Sequence, residues 1–482
     1  LRRPGDSMFK AIVGKEILAN VLSFRFVVTL ALLLVVVPVT TFVLTSDYLK
    51  KVSDASLRQA ETETYLRSYA HFNRISNILQ AAMPPLPAEA LVRGLAAEVN
   101  LSEFDDDPLP VMFPLVDLVF VVTILMSLVA LIFAYDAVSG EKEGGTLKLM
   151  LANGLARPKV ILAKIAGGGL TLLVPYAMAL IVGLLVILLH PGVGWGAANW
   201  GALGLITIGT VLYIMLFYAL GVFISARHHT SSASIMTSLL VWVVLILVVP
   251  SLSPYIASFL SPTPSRIQVE REVGRLADTE RDDLGRKLQA ERLRDVLAKY
   301  PVLAEKMSES DQKRLIERDP AAREAFEARR KAVSAAWDEA NRLQGEKIAA
   351  VRGAASRKEE AQTALARTIS MVSPLAVFTY LATDLTSTGI NNAAYFERVS
   401  GVWDRAFWDY ARKKVAELQA RDPATDWWNT AVDMGDRPRF EFREERLGAR
   451  VQATLPELLL LLGGGLVFFV LAYVSFLRYD VR

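Results

Sequence analysis

Apolar residues along this chain gather into six runs of roughly 20 or more, and between them charged residues return with helical spacing. The runs are Phe26–Ser46, Val111–Tyr135, about Ile165–Leu189, Ala202–Ala226, about Ile235–Leu260 and Pro456–Leu477. At 1.5 Å per residue each can cross roughly 30 Å of hydrocarbon. Each must then be helical, because lipid offers the backbone no hydrogen-bond partners. The first run is too long for a signal-peptide core, and TSDYLKK after it has no small-residue cleavage site, so it reads as a retained anchor.

Two long polar stretches interrupt the runs. In 47–110, Leu57, Ala60, Tyr65, Tyr69, Phe72, Ile75 and Leu79 recur at helical spacing, with PPLP at 84–87 as the stop. In 261–455, narrow apolar stripes mark a helix from Arg266 to about Ala298, a break at Tyr300-Pro301 and a second helix from about Pro320 to Ser370. Two such helices suggest an antiparallel hairpin or coiled coil, serving either as a spacer or as a binding arm. The segment after Ser373-Pro374 is nearly uncharged and suits a membrane interface. Trp403, Phe407, Trp408, Tyr410, Trp427 and Trp428 suit an interface or, better, a packed domain. PRFEFRE at 438–444 alternates like a short strand. Pro456-Glu457 suits the first turn of the last span.

Composition agrees with the pattern. Of 482 residues, 52% are hydrophobic and 21% charged, and the mean hydropathy is +0.33. A purely soluble enzyme and a disordered chain are excluded. A net charge of +3 is too small to argue for a nucleic-acid partner. With no cysteine, disulfides, iron–sulfur clusters and thiolate zinc sites are excluded. Basic residues set the orientation: Arg2, Arg3, Lys10, Lys15 and Arg25 precede the first run, and Lys142, Lys148, Arg157, Lys159 and Lys164 follow the second. Both termini are therefore expected in the cytoplasm, and 47–110 and 261–455 outside.

No ATP site is present: nowhere does G-x-x-x-x-G-K-[ST] occur, and Gly167–Gly169 lie in an apolar helix, where close helix packing is the better reading. Nothing resembles a catalytic or metal-binding constellation; His228 and His229 are adjacent and read as a loop beside a span. Asp117 lies near the outer end of the second run, where it could serve a pathway or reach headgroups. Pro175 and Pro250 could kink the third and fifth runs, which would suit a gate or ordinary packing. The informative stretch is 136–164: an acidic turn, a glycine pair, and a short amphipathic helix that Thr146 could cap. Read from the residues alone, it is either a docking handle or a solvated loop.

That stretch resembles the D-x-x-S-x-E-x-x-x-G-T-L … R-x-x-x-x-x-K signature of ABC-2 type permeases, at Asp136, Ser139, Glu141, Gly145, Thr146, Leu147, Arg157 and Lys164. FKAIVGKEILANVLSFRF, with Lys15, Glu16 and Arg25, resembles the amphipathic elbow helix of the same family. The Ser373-Pro374 segment, Tyr395-Phe396 and PRFEFREE resemble a subgroup with a large insertion between spans five and six. The resemblance implies a mainly α, six-helix transmembrane permease with a largely helical external domain. Its partners would be a separate ABC ATPase subunit, a second permease chain (identical or not), membrane lipid and an envelope protein. ATP and Mg2+ would sit on the ATPase, with no cofactor and no catalysis in this chain. The membrane would be the bacterial inner membrane. Residues 139–155 would form the coupling helix, Gly144 and Gly145 would permit its tight turn, and Glu141 and Glu143 would meet the ATPase. Two other classes stay open: mechanical transmission to an envelope partner without transport, and a membrane scaffold or sensor.

Overall fold

The computed structural model describes residues 4–69, 71, 79, 81–94, 116–147, 157–304, 308–421 and 429–478. Helices dominate. The chain opens with α1 (Pro4–Val21) and α2 (Phe24–Tyr69). Helix α3 joins Leu118–Phe120, a wider π-type stretch Val121–Met126 and Ser127–Ala134. Then come the short α4 (Ser139–Glu143), α5 (Arg157–Leu188) and α6 (Ala197–Arg227). Helix α7 joins Ser231–Val243, a π-type stretch Val244–Val248 and Val249–Leu260. Among the described residues, six helical segments are long and apolar enough to cross a membrane, namely α2, α3 with α4, α5, α6, α7 and the last helix α13 (Leu447–Leu477).

One compact unit comprises 1–250 and 371–482, and another comprises 251–370. In the first, apolar side chains alone cannot drive helices together, because lipid is as apolar as leucine; close approach at small residues must do it. A Cβ on Gly168 would lie 1.8 Å from the Tyr218 hydroxyl, and one on Gly169 would lie 2.3 Å from Met215 Sδ. A Cβ on Gly167 would lie 2.9 Å from Glu16 Cβ on α1. The glycine cluster is therefore a close-packing site, as the sequence suggests. Hydroxyls inside the spans turn back to their own helices: Thr123 to Val119 O, Thr171 to Gly167 O and Thr210 to Ile206 O. This satisfies polar groups where no water is available.

The second unit holds an antiparallel hairpin. Helix α8 (Arg266–Arg275, a π-type stretch Leu276–Glu280, Arg281–Lys299) starts on a capping box between Ser265 and Gln268. After a tight turn and α9 (Glu309–Arg318), α10 (Pro320–Ser370) returns along it. Pairing runs in opposite directions: Glu270 meets Arg352 at 3.7 Å, Glu280 meets Lys347 at 3.5 Å, Gln289 accepts from the Trp337 indole at 3.1 Å, and Tyr300 donates to Glu324 at 2.6 Å. The seam is tight because it is small. Ala322, Ala325, Ala336 and Ala340 are buried, and Gly285 leaves room for the Trp337 ring, 2.4 Å from where a Cβ would be.

Four expectations need correction. The uncharged segment forms α11 (Pro374–Leu385), packed inside the bundle rather than along its surface: Phe378 is fully buried against Tyr213, with ring centroids 5.3 Å apart, and the Ser373 hydroxyl donates to Leu245 O at 2.5 Å. Residues 438–446 form no strand, since among the described residues no second strand flanks them and the one bridge is His71 with Ala431. The last helix starts at Leu447, so Pro456 is interior. Buried Arg450 docks its first turn by donating to Leu385 O at 2.9 Å and Ser387 Oγ at 2.8 Å. Leu79 lies outside any helix, so PPLP does not end the one before it; Phe72 and Ile75 are outside the described residues. Of the aromatic stretch, Trp403 and Phe407 are buried on α12 (Ile390–Arg421): Trp403 stacks on Phe407 at 5.6 Å and donates to Pro438 O at 2.9 Å, while Trp427 and Trp428 lie outside the described residues.

Candidate functional site

The signature residues converge where α1 and α3 end, α2 and α5 begin, α6 ends and α7 begins. Three polar clusters tie these ends together.

The first is an ion triad. Lys164 Nζ, on the first turns of α5, lies 2.9 Å from Glu16 Oε1 and 2.7 Å from Glu141 Oε1. Its side chain is 2% exposed, and those of Glu16 and Glu141 are 15% and 17% exposed. A buried ammonium is tolerated only with such partners. The triad binds the amphipathic helix α1, the loop helix α4 and α5 at one point. Gly167, one turn further along, lets α1 approach closely enough for Glu16 to reach.

The second cluster centres on Arg25 at the start of α2. Its guanidinium donates to Asp136 Oδ2 at 2.8 Å, the Tyr135 hydroxyl at 2.9 Å and Ile132 O at 3.1 Å. It thus caps the carboxyl end of α3, where exposed carbonyls favour a cation.

The third is built of serines. Ser225 Oγ, fully buried near the end of α6, accepts from the backbone N–H of Val138 at 3.0 Å and Ser139 at 2.9 Å. Ser139 Oγ donates to Tyr135 O and meets Ser231 Oγ at 3.3 Å. Ser231 donates to Glu143 at 2.7 Å, and Ser234 donates to Tyr135 O at 2.7 Å. Lys142 Nζ donates to Ala226 O at 2.5 Å and His228 O at 3.0 Å, capping α6.

The predicted site residues therefore divide into two sets. Asp136, Ser139, Glu141 and Leu147 face the bundle, with Ser139 and Leu147 fully buried. Glu141, expected to reach a partner, has its Oε1 held by Lys164. Glu143, Gly144, Gly145 and Thr146 form an exposed tip. Of the two glycines only Gly145 needs to be one, with φ +68°; Gly144 has φ −78°. The Thr146 hydroxyl reaches back to Glu141 O at 3.4 Å. The remainder of the expected coupling helix, 148–156, lies outside the described residues. Arg157 opens α5. Lys15 is exposed on α1.

Three other candidates lie away from this junction. Asp117 caps α3, accepting from the N–H of Phe120 at 2.8 Å and of Arg93 at 3.2 Å. Pro175 is interior to α5. Pro250 follows the π-type stretch of α7. Sequence reasoning missed Ser225, Ser231, Ser234 and Tyr135. Serines within otherwise apolar helix ends were the available signal, since a hydroxyl there must find a partner.

Residues 10–481 match the family described as ABC-2 family transporter protein. Over 131 residues the chain is 38% identical to the probable ABC transporter permease protein NosY of Stutzerimonas stutzeri, covering 26% of this chain and 46% of that protein. Over 125 residues it is 38% identical to the protein of the same name from Pseudomonas aeruginosa, covering 25% and 44%. The chain thus spans less than half the length of either relative. The family match takes in both ends of the helix bundle and everything between them. This chain is a multi-pass membrane protein belonging to the ABC-2 family of transporter proteins.

Proposed function

We propose that the chain is the transmembrane permease subunit of an ATP-binding cassette transporter. It works with a second permease chain and with separate ATPase subunits that hold ATP and Mg2+. The observation that carries this reading is the division of the signature loop into an exposed tip, Glu143–Thr146, and a base held by buried and half-buried polar contacts to five helices. A tip on a rigid base transmits a push; a loop that merely connects two spans needs no such base. Closure of the ATPase dimer would press the tip. The triad would carry the load to α1 and α5, and the serine cluster would carry it to α6 and α7. Tilting of these helices would open and close a central path for an exported substrate. The basic residues of the short connections favour this junction, and both termini, on the cytoplasmic side, and the proposed membrane is the bacterial inner membrane.

The test is gentle purification from native membranes of the wild type and of Glu143→Arg with Thr146→Arg. An ATPase with nucleotide-binding motifs should accompany the wild type and be lost from the variant. Its absence from both preparations, with the membrane complex intact, overturns the reading.

A second reading is favoured by the hairpin. Helix α10 has 51 residues, about 75 Å at 1.5 Å per residue. A lever of that length suits mechanical transmission to an envelope partner. ATP turnover stimulated by an envelope protein, and not by lipids or peptides, would select it over export.

A further inference from the structure

The segment Arg439–Glu445 alternates its side chains as a β-strand does, and among the described residues no other segment pairs with it. It runs without helix, turn or bend. Alternate side chains point in: Phe440 packs on Phe396 and Trp403, with centroids 5.9 and 5.6 Å apart, Phe442 packs on Tyr395 and Phe396 at 6.1 and 5.8 Å, and Glu444 meets Arg450 at 3.3 Å. The intervening side chains point out, with Arg439 60%, Glu441 72% and Arg443 86% exposed. Among the described residues, no backbone N–H or C=O from Arg439 to Glu445 is hydrogen-bonded. A period of two with an apolar inner face, an unpaired edge and charged outer positions is what an edge strand presents to an incoming strand.

We propose that this edge pairs antiparallel with the same segment of a second copy of the chain. The charge pattern names the occupant. Alternate positions read Arg439, Glu441, Arg443 and half-buried Glu445, alternating in sign; within the chain Arg439 has only a 3.9 Å approach to Glu63, and Arg443 and Glu441 meet at 3.5 Å while remaining largely exposed. Antiparallel pairing about Phe442 sets Arg439 opposite Glu445 of the other copy and Glu441 opposite Arg443, so that all four cross-strand pairs are of opposite charge. A parallel arrangement would set each residue against its own like charge. The interface is isologous, as a two-fold axis requires. There is room for the second strand: a groove of about 710 Å³ runs beside the segment, and its wall includes Val402 of α12, which is 59% exposed. The second strand would cover Val402. The inference rests on the two-permease reading in needing a second copy, and it adds where the two chains meet outside the spans.

Because the protein has no cysteine, single cysteines can be placed without background. Differently tagged full-length chains carrying Glu441→Cys and Arg443→Cys are co-expressed, purified as the complex and treated with a mild oxidant. A mixed disulfide dimer should form, several-fold above either variant alone, since opposed positions of an antiparallel pair lie within disulfide reach and equal positions sit diagonally. Arg439→Glu added to both chains sets like charges at both Arg439–Glu445 pairs and should cut the yield several-fold. Adding Glu445→Arg to both chains as well restores complementarity and should restore the yield, which a merely unfolded variant could not do. No mixed dimer, or one favouring equal positions, overturns the pairing. Native mass measurement separates the two failures: two copies without the crosslink overturn the strand pairing alone, and one copy overturns the two-permease reading with it.

Discussion

Glu141 and Lys164, 23 residues apart, hold each other at 2.7 Å across the start of α5, and Lys164 reaches Glu16 of α1 with the same ammonium. One buried cation thus serves two carboxylates from two other elements. The loop cannot shift without disturbing α1, and α1 cannot lift without exposing the cation.

Replacing Lys164 by Met should leave two carboxylates buried without a counter-charge, at a cost of about 3–5 kcal/mol. Glu16→Gln and Glu141→Gln each leave one intact pair and should cost less. Thermal unfolding of the purified protein in detergent gives the order; Lys164→Met as the mildest of the three would contradict it.

The two tip glycines should behave differently. Gly145 has φ +68° and open space around it, so Gly145→Ala meets strain without a clash, worth about 1–2 kcal/mol. Gly144→Ala meets only ordinary contact with Gly140 O at 3.4 Å and should be near neutral. ATP turnover of the assembled complex should fall for the first and hold for the second.

Close packing at Gly168 leaves no room for a methyl group. Gly168→Ala should drive α5 from Tyr218 and cost roughly 1–3 kcal/mol, the usual range for overpacking. Gly463→Ala in α13, with nothing within 4 Å of its Cβ position, is the control and should keep the wild-type melting temperature.

The hairpin offers its own test. Trp337 lies across Gly285 and donates to Gln289. Gly285→Leu should expel the indole, and Trp337 fluorescence should shift to the red in a variant whose other tryptophans are replaced. An unmoved spectrum would mean that the two helices do not meet there.

Asp436 gives a pH dependence. Its carboxylate accepts from the Tyr410 hydroxyl at 2.5 Å and pairs with Lys414 at 2.9 Å, and these contacts hold it below the ordinary aspartate value. A depressed value in the folded state gives stability that is complete above the unfolded value and lost as pH falls through the folded one. From about pH 5 to 3, around an ordinary value near 3.9, the wild type should lose more thermal stability than Asp436→Asn. The group is exposed, so the difference should shrink in high salt.

Much of this was legible in the sequence, for stated reasons. Spans are legible because length and apolarity are properties of a single segment. The α8–α10 hairpin was legible because its narrow stripes and the Tyr300-Pro301 break are local. Pairings between segments were not. PRFEFRE alternates as a strand does, yet strand formation needs a neighbour, and the described residues hold none. The uncharged run after Ser373 reads the same whether it faces lipid or protein; its burial depends on Gly209 of α6, where a Cβ would lie 2.4 Å from Leu381. In the signature loop, residue types mark the site, but they do not say which side chains turn inward. Glu141 and Glu143 are two positions apart on one short helix; Lys164 holds the first and Ser231 meets the second, contacts that no local pattern announces.

The central claim is that the tip meets an ATPase while the base holds the bundle. Site-specific photocrosslinking tests it most directly, with the probe placed in turn at exposed Thr146 and at buried Ser139 of the full-length chain in native membranes. The account predicts an adduct between Thr146 and a nucleotide-binding subunit, and none from Ser139. No such adduct at Thr146, with the probe incorporated and the complex intact, would contradict it.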